Sequence, residues 1–362
     1  MKNKKTTRRR VNYVNVIIFA LVSAFLMYSV IFLIYRDMNK KADEKAANAA
    51  ERAVTVTEIT ETAEETTTTP GYNYDYTDII NPDRISAKSA IIYNKTTNTI
   101  LFEKNPDFRC YPASTTKLIT AMTALEKISP DTVFTVGTEI QLIGEGSSSA
   151  YLNEGSQLTL GDLIYGMLLP SGNDAAYTIA VNTARTVSGN PAMTDAEAVE
   201  YFCGLMNDLA AELEMDSSHF ADPDGWYRED HYVTASDMLK AARAAIEYPQ
   251  ITAASSSLSY RVTSASDGIV YVWENNNKIL FEDSEYYFPY ADGLKTGFTD
   301  EAGYCYVATA SKDNTEIIAL IFGSSSLDDR YRDIKNLFNA VFEPSAISYA
   351  ETTAPDQPVV VG

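Results

Sequence analysis

The sequence predicts an α+β domain: an antiparallel β-sheet flanked by helices, forming a single catalytic-size domain behind an N-terminal transmembrane helix. Three observations lead there. Strand-like alternation occurs at both ends of the globular part, helical spacing fills its middle, and an apolar run lies near the N-terminus.

Taken in order, residues 1–10, "MKNKKTTRRR", are a basic segment. Residues 11–35 hold an apolar run of about 20 residues, enough for one bilayer crossing. A secretory signal has a shorter core and a small-residue cleavage site, whereas here Arg36 and Asp37 follow directly. The segment therefore reads as an uncleaved anchor. Six Lys/Arg precede it and four (Arg36, Lys40, Lys41, Lys45) follow, which favours the N-terminus inside. Residues 36–78, dominated by Thr, Glu and Ala, read as a disordered tether of roughly 35 Å average span.

The domain proper is expected at 79–343. It opens with a hairpin at about 88–94 and 99–104. Helices follow near 115–127, 160–169, 173–187, 195–214 and 234–247. "DGIVYVWENNNKIL" (267–280) reads as strand–turn–strand, and residues 303–311 and 315–323 as a second hairpin. The amphipathic "DDRYRDIKNLFNAVF" closes the domain, leaving residues 344–362 as a flexible tail. Strands from the two ends of the domain would then meet in one antiparallel sheet.

Charge narrows the partners. The net charge of the 362 residues is −20. Seven of the 29 basic groups lie in the first 36 residues with no acid, so the rest carries 22 basic against 49 acidic groups, a formal −27. Such a surface repels a phosphate backbone, which excludes nucleic acid as a natural partner. Cys110, Cys203 and Cys305 have no metal-like spacing and are expected to be buried small hydrophobes. His219 and His231 are the two histidines, and both read as structural.

Three short motifs carry chemistry. Ser114 and Lys117, in "YPASTTKLITAM", sit at i and i+3 on one helical face. A cap at Ser114 would prefer Glu or Gln at that later position, and the helix dipole disfavours a cation there. A serine needs a base to become a nucleophile, and a lysine with a lowered pKa can be that base. "LLPSGNDAA" brings Ser171 and Asn173 into a tight loop, which also suits ordinary N-cap chemistry. "ADGLKTGFTDEAGYC" brings Lys295, Thr296 and Gly297 ahead of the second hairpin, suited to a substrate carboxylate but equally to a polar turn. S-x-x-K alone arises about once by chance in a chain this long. The ordered set of three is far rarer.

That set resembles the low-molecular-weight penicillin-binding proteins, the serine-type D-Ala-D-Ala carboxypeptidases. A fourth stretch, "FADPDGWYREDHYVTASDM", is similar to the family's N-P-x-G…H-Y-[ST]-T-A segment. The resemblance covers roughly residues 79–343 and implies a β-lactamase/transpeptidase-like fold. It implies an acyl-enzyme at Ser114, with Lys117 as general base. Ser171 would relay a proton to the leaving D-alanine, and Asn173 would position Lys117 and the substrate amide. Lys295 and Thr296 would hold the terminal carboxylate. Gly297 would let substrate lie close, and the amides of Ser114 and Phe298 would form the oxyanion hole. Lys295 near Lys117 would help keep the base neutral.

The implied substrate is a peptidoglycan stem peptide ending in D-Ala-D-Ala, with β-lactams as covalent inhibitors and neither cofactor nor metal. The implied place is the bacterial cytoplasmic membrane, the domain held outside by residues 11–35. Asp300 and Glu301 are expected to shape a turn. The protein is expected to depart from the best-known members by having no later β-rich domain or C-terminal anchor, and an insertion is expected around 255–288. A β-lactamase of class A would need a further E-x-x-L-N element, which the sequence lacks. A D,D-endopeptidase using the same residues remains an alternative. So does a non-catalytic wall-binding domain, which would not need the full set.

Overall fold

The computed structural model describes residues 71–72, 76 and 79–349. The expected anchor at 11–35, nearly all of the expected tether, and the tail after residue 349 lie outside the described residues. No helix among the described residues is long and apolar enough to cross a membrane.

The chain builds ten strands and seven α-helices among these residues. They are β1 (Gly71–Tyr72), β2 (Ser89–Asn94), β3 (Thr99–Lys104), α1 (Lys117–Lys127), β4 (Val133–Thr135), β5 (Gln157–Thr159), α2 (Leu160–Leu168), α3 (Asn173–Ser188) and α4 (Asp195–Glu212). Then come α5 (Ala235–Ala245), α6 (Pro249–Ser256), β6 (Ser259–Thr263), β7 (Val270–Glu274), β8 (Ala291–Thr299), β9 (Gly303–Lys312), β10 (Thr315–Ser324) and α7 (Leu327–Phe342).

Six strands form one sheet in the order β1-β3-β2-β10-β9-β8, antiparallel except for the β1–β3 pair. The two ends of the domain meet where β2 pairs β10, with Ile91 opposite Leu320. Alternation along each strand fixes the layers. Ile91, Tyr93, Cys305, Val307, Ile318, Leu320 and Phe322 point into the core shared with α1–α6. Their neighbours Ala90, Ile92, Tyr306, Ala308, Ile317, Ala319 and Ile321 point into a second core under α7. A slip of one residue would exchange these two sets, so the register is strongly specified. α7 contributes Tyr331, Ile334, Leu337 and Phe338 at helical spacing, each fully buried. Burying such a side chain contributes about 1.5–3 kcal/mol.

Two expectations need correction. Residues 278–280 are a short 3-10 turn rather than a strand. The partner of β7 is β6, upstream, and the hairpin packs on α2: Tyr260 stacks on Tyr165 at 3.8 Å, and the Trp273 indole donates to the Ala150 carbonyl at 2.8 Å. The residues after α7 are also held. Asn336 bonds both the amide and carbonyl of Ser348, at 2.9 and 2.6 Å.

Candidate active site

The expected helix at 115–127 begins differently. Ala113–Thr116 form a 3-10 turn, and α1 starts at Lys117. Neither start has a side-chain cap, so Ser114 is free for other partners. Lys117 is fully buried. Its Nζ lies 2.9 Å from Ser114 Oγ, 2.7 Å from Asn173 Oδ1 and 2.8 Å from the Asp224 carbonyl. Two of these partners are acceptors, and the hydroxyl can donate. A neutral amine has two N–H donors and one lone pair, so it can satisfy all three while accepting the Ser114 proton.

Burial pushes the Lys117 amine down to about 8, against the opposing pull of Asp224, Asp222 and Asp174. Lys295 is pushed well below the ordinary lysine range, by burial first, then by Lys117 and Arg330. Desolvation, rather than a neighbouring cation, is thus the main influence on Lys117.

Ser171 and Asn173 come from the turn between α2 and α3. Ser171 adopts a left-handed φ of 63°. A side chain on Gly172 would strike the Gly166 carbonyl at 2.6 Å and Ala150 at 2.7 Å, so the turn closes only with glycine there. Asp174 anchors the opposite wall, accepting from the Ala150 and Leu152 amides and from the Ser149 hydroxyl.

The K-T-G run is not a turn. It lies within β8, the edge strand of the sheet. A Cβ on Gly297 would sit 3.0 Å from the Ser114 amide and 3.1 Å from the Pro112 carbonyl. Its missing side chain therefore seats the strand against the Ser114 turn. This brings the Ser114 and Phe298 backbones together. Thr296 lines the cleft, whereas Lys295 is buried behind it and donates to the Thr296 carbonyl at 3.0 Å. Phe298 is half exposed and packs on Tyr304, ring centroids 4.4 Å apart.

The cleft, about 560 Å³, is walled by Ser114, Ser171, Asn173, Thr296, Gly297 and Phe298 together with residues that the motifs do not contain. Asn276 accepts from the Thr296 hydroxyl at 3.4 Å. It lies between buried Asn275 and Asn277, which tie the segment to Ser255, Ser257 and Tyr306; the run of three asparagines was the signal available in the sequence. Arg330, from α7, donates to the Gly297 carbonyl at 3.4 Å and also lines the cleft. Trp226, 42% exposed, forms part of the outer wall. Asp300 and Glu301 sit in the β8–β9 turn at the cleft rim. His231 is buried, its Nε2 2.9 Å from the Thr116 hydroxyl, while the His219 Nδ1 contacts the Asp230 carbonyl outside the cleft. All three cysteines are free and buried.

The sequence model of the D-alanyl-D-alanine carboxypeptidase family, Peptidase S11, matches residues 77–326. The chain belongs to this family. Among curated relatives of the carboxypeptidase family, DacF of Bacillus subtilis is 30% identical over 259 residues, covering 71% of this chain and 62% of its own length. The D-alanyl-D-alanine carboxypeptidase of Streptomyces sp. strain K15 is 30% identical over 266 residues, with 88% of its length covered. The chain thus spans less than two thirds of DacF and nearly all of the Streptomyces relative. Among solved structures, the Streptomyces K15 DD-transpeptidase superposes with a TM-score of 0.65 at 29% identity, covering 71% of this chain and 97% of that one. Penicillin-Binding Protein D2 from Listeria monocytogenes, in its ampicillin-bound form, gives 0.57 at 25% identity, covering 72% and 98%. These likenesses establish the mixed α/β fold with its antiparallel sheet.

Proposed function

We propose that the chain is a serine-type D-Ala-D-Ala carboxypeptidase. It removes the terminal D-alanine of peptidoglycan stem peptides through an acyl-enzyme on Ser114, and penicillins acylate the same serine. The observation that carries this reading is the Lys117 amine bound at once to Ser114 Oγ, Asn173 Oδ1 and the Asp224 carbonyl.

In this mechanism Lys117 takes the Ser114 proton as Oγ attacks the carbonyl of the penultimate D-alanine. The Ser114 and Phe298 amides hold the oxyanion. Ser171 passes a proton to the departing amine, and water then releases the acyl group. Thr296 and Arg330 hold the terminal carboxylate. Lys295 acts through Thr296, whose carbonyl it fixes, and Gly297 keeps β8 close to the nucleophile. The anchor at 11–35 would hold this domain outside the bacterial cytoplasmic membrane. That placement is supported by the basic flank and apolar run of the sequence, and protease shaving of intact cells against lysed cells tests it.

A fluorescent penicillin tests the core claim. Purified protein should form a stable covalent label that Ser114→Ala abolishes, and a pentapeptide ending in D-Ala-D-Ala should release free D-alanine. Absence of label refutes the acyl-enzyme, and label lost within seconds points to a β-lactamase. The Streptomyces relative is named both carboxypeptidase and DD-transpeptidase, so adding an amine acceptor separates hydrolysis from acyl transfer.

A further inference from the structure

Behind Lys117 lies a pair of carboxyls that the reaction above does not use. Asp224 lends its carbonyl to the lysine, yet its side chain is turned into the protein. Its Oδ1 accepts from the Trp226 amide at 2.9 Å, and its Oδ2 is sealed from solvent with no hydrogen-bond partner. Asp222 has the same form. Its Oδ1 accepts from the Gly225 amide at 2.7 Å, while its Oδ2 makes no hydrogen bond and lies 3.3 Å from His231 Nδ1. Both residues are over nine-tenths buried. Pro223 between them is pinned by the Thr120 hydroxyl, which donates to its carbonyl at 2.6 Å. Neither side chain can swing out to water.

We propose that Asp224 is a positioning residue of this reaction: its carboxyl, sealed behind the Lys117 amine with one oxygen unpartnered, sets the charge on that amine and hence the pH range in which Ser114 is acylated. The proposal rests on Lys117 serving as the base.

A buried carboxylate with an unpartnered oxygen is costly to ionise, and it relieves the cost by keeping its proton. The surrounding charges decide which of the two carboxyls does so. Burial works against ionisation of Asp222, but His231 and hydrogen bonds hold it low. Asp224 is pushed up to about 7, by burial first and then by the Asp222 charge, with Lys117 opposing. The other ionisable groups facing the cluster are Asp174 and Tyr177 on α3, Cys203 on α4, Arg228 in the loop and Lys295 on β8. Asp224 is the largest single influence raising Lys117. While it keeps its proton the amine discharges easily; once ionised, it holds the amine charged to higher pH.

The test is the second-order rate of labelling by fluorescent penicillin, from pH 5 to 9, on the full chain. In Asp224→Asn the acid limb should move down by roughly one pH unit, with the plateau kept within about tenfold. Asp222→Asn should move it in the same direction by less. A limb fixed at the wild-type position with only a lowered plateau means a purely structural role and overturns the proposal. No labelling of wild type at any pH overturns the base assignment itself. Thermal unfolding supplies a second readout. The folded Asp224 holds its proton to about 7, whereas an unfolded aspartate gives it up near 3.8. Wild type should therefore lose stability relative to Asp224→Asn as pH rises between those values. Parallel curves across that range would also refute the proton held on Asp224.

Discussion

Helix starts divide into two kinds in this molecule. α2, α4, α5 and α7 each begin on a Ser or Thr whose hydroxyl accepts the amide three residues on: Thr159 from Asp162, Thr194 from Glu197, Thr234 from Asp237 and Ser326 from Asp329. In α2 and α4 the acid also reaches back, closing a capping box. α6 has no side-chain cap, but it opens on Pro249, which suits a first helical position. α1 and α3 have neither device. Each instead follows a residue held at positive φ, Ala113 at 49° or Ser171 at 63°. Local helix rules are followed where a helix only has to begin. They are broken at the two starts that carry Ser114, Lys117, Ser171 and Asn173, whose side chains are committed to one another or to the cleft.

The contrast can be pressed from either side. Ser114→Ala at the first uncapped start should cut acylation by at least ~10³-fold while leaving the thermal midpoint nearly unchanged, as measured by penicillin labelling and calorimetry. Acylation by the wild type should fall about tenfold per pH unit below about 8, where Lys117 becomes protonated, and level off above it. A stopped-flow pH series reads this, and a flat profile would remove Lys117 as the base. Gly225→Ala should destabilise the fold by about 3 kcal/mol or more in urea titration. Gly225 has φ 84°, and its added Cβ would lie 1.9 Å from the Ala113 carbonyl, so the strained turn itself would shift. Thr194→Ala at a capped start should cost about 1 kcal/mol and leave the acylation rate untouched.

The sequence made the layered fold legible wherever burial alternates cleanly. The β2–β3 and β9–β10 hairpins and helices α2–α5 lie within a few residues of their expected places. Short pieces escaped: β4 and β5 have three residues each, and α6 is an eight-residue helix of mostly polar and small residues opening on Pro249. Their positions are set by tertiary packing, which local pattern does not encode. The site divides the same way. Ser114, Lys117, Ser171, Asn173 and Thr296 were marked by fixed spacing in short motifs. Arg330, Asn276 and Asp224 come from an amphipathic helix, a polar run and a loop, where they read as ordinary surface residues until the fold brings them to the cleft. Gly297 was marked for a close approach to substrate, yet its bare Cα faces the Ser114 turn.

The pairing of β2 with β10 sets an order of events. Ser114 and Lys117 follow the first hairpin of the domain, while Thr296 lies in β8, next to the last hairpin. The sheet that joins them closes only when Ile91 finds Leu320 across most of the domain. Contacts so distant in sequence form late and slowly. A chain threaded through a membrane from its N-terminus would expose its serine early but complete the reactive site last. Acylating power would switch on only with the finished domain, so an abandoned fragment would carry the nucleophile without its strand.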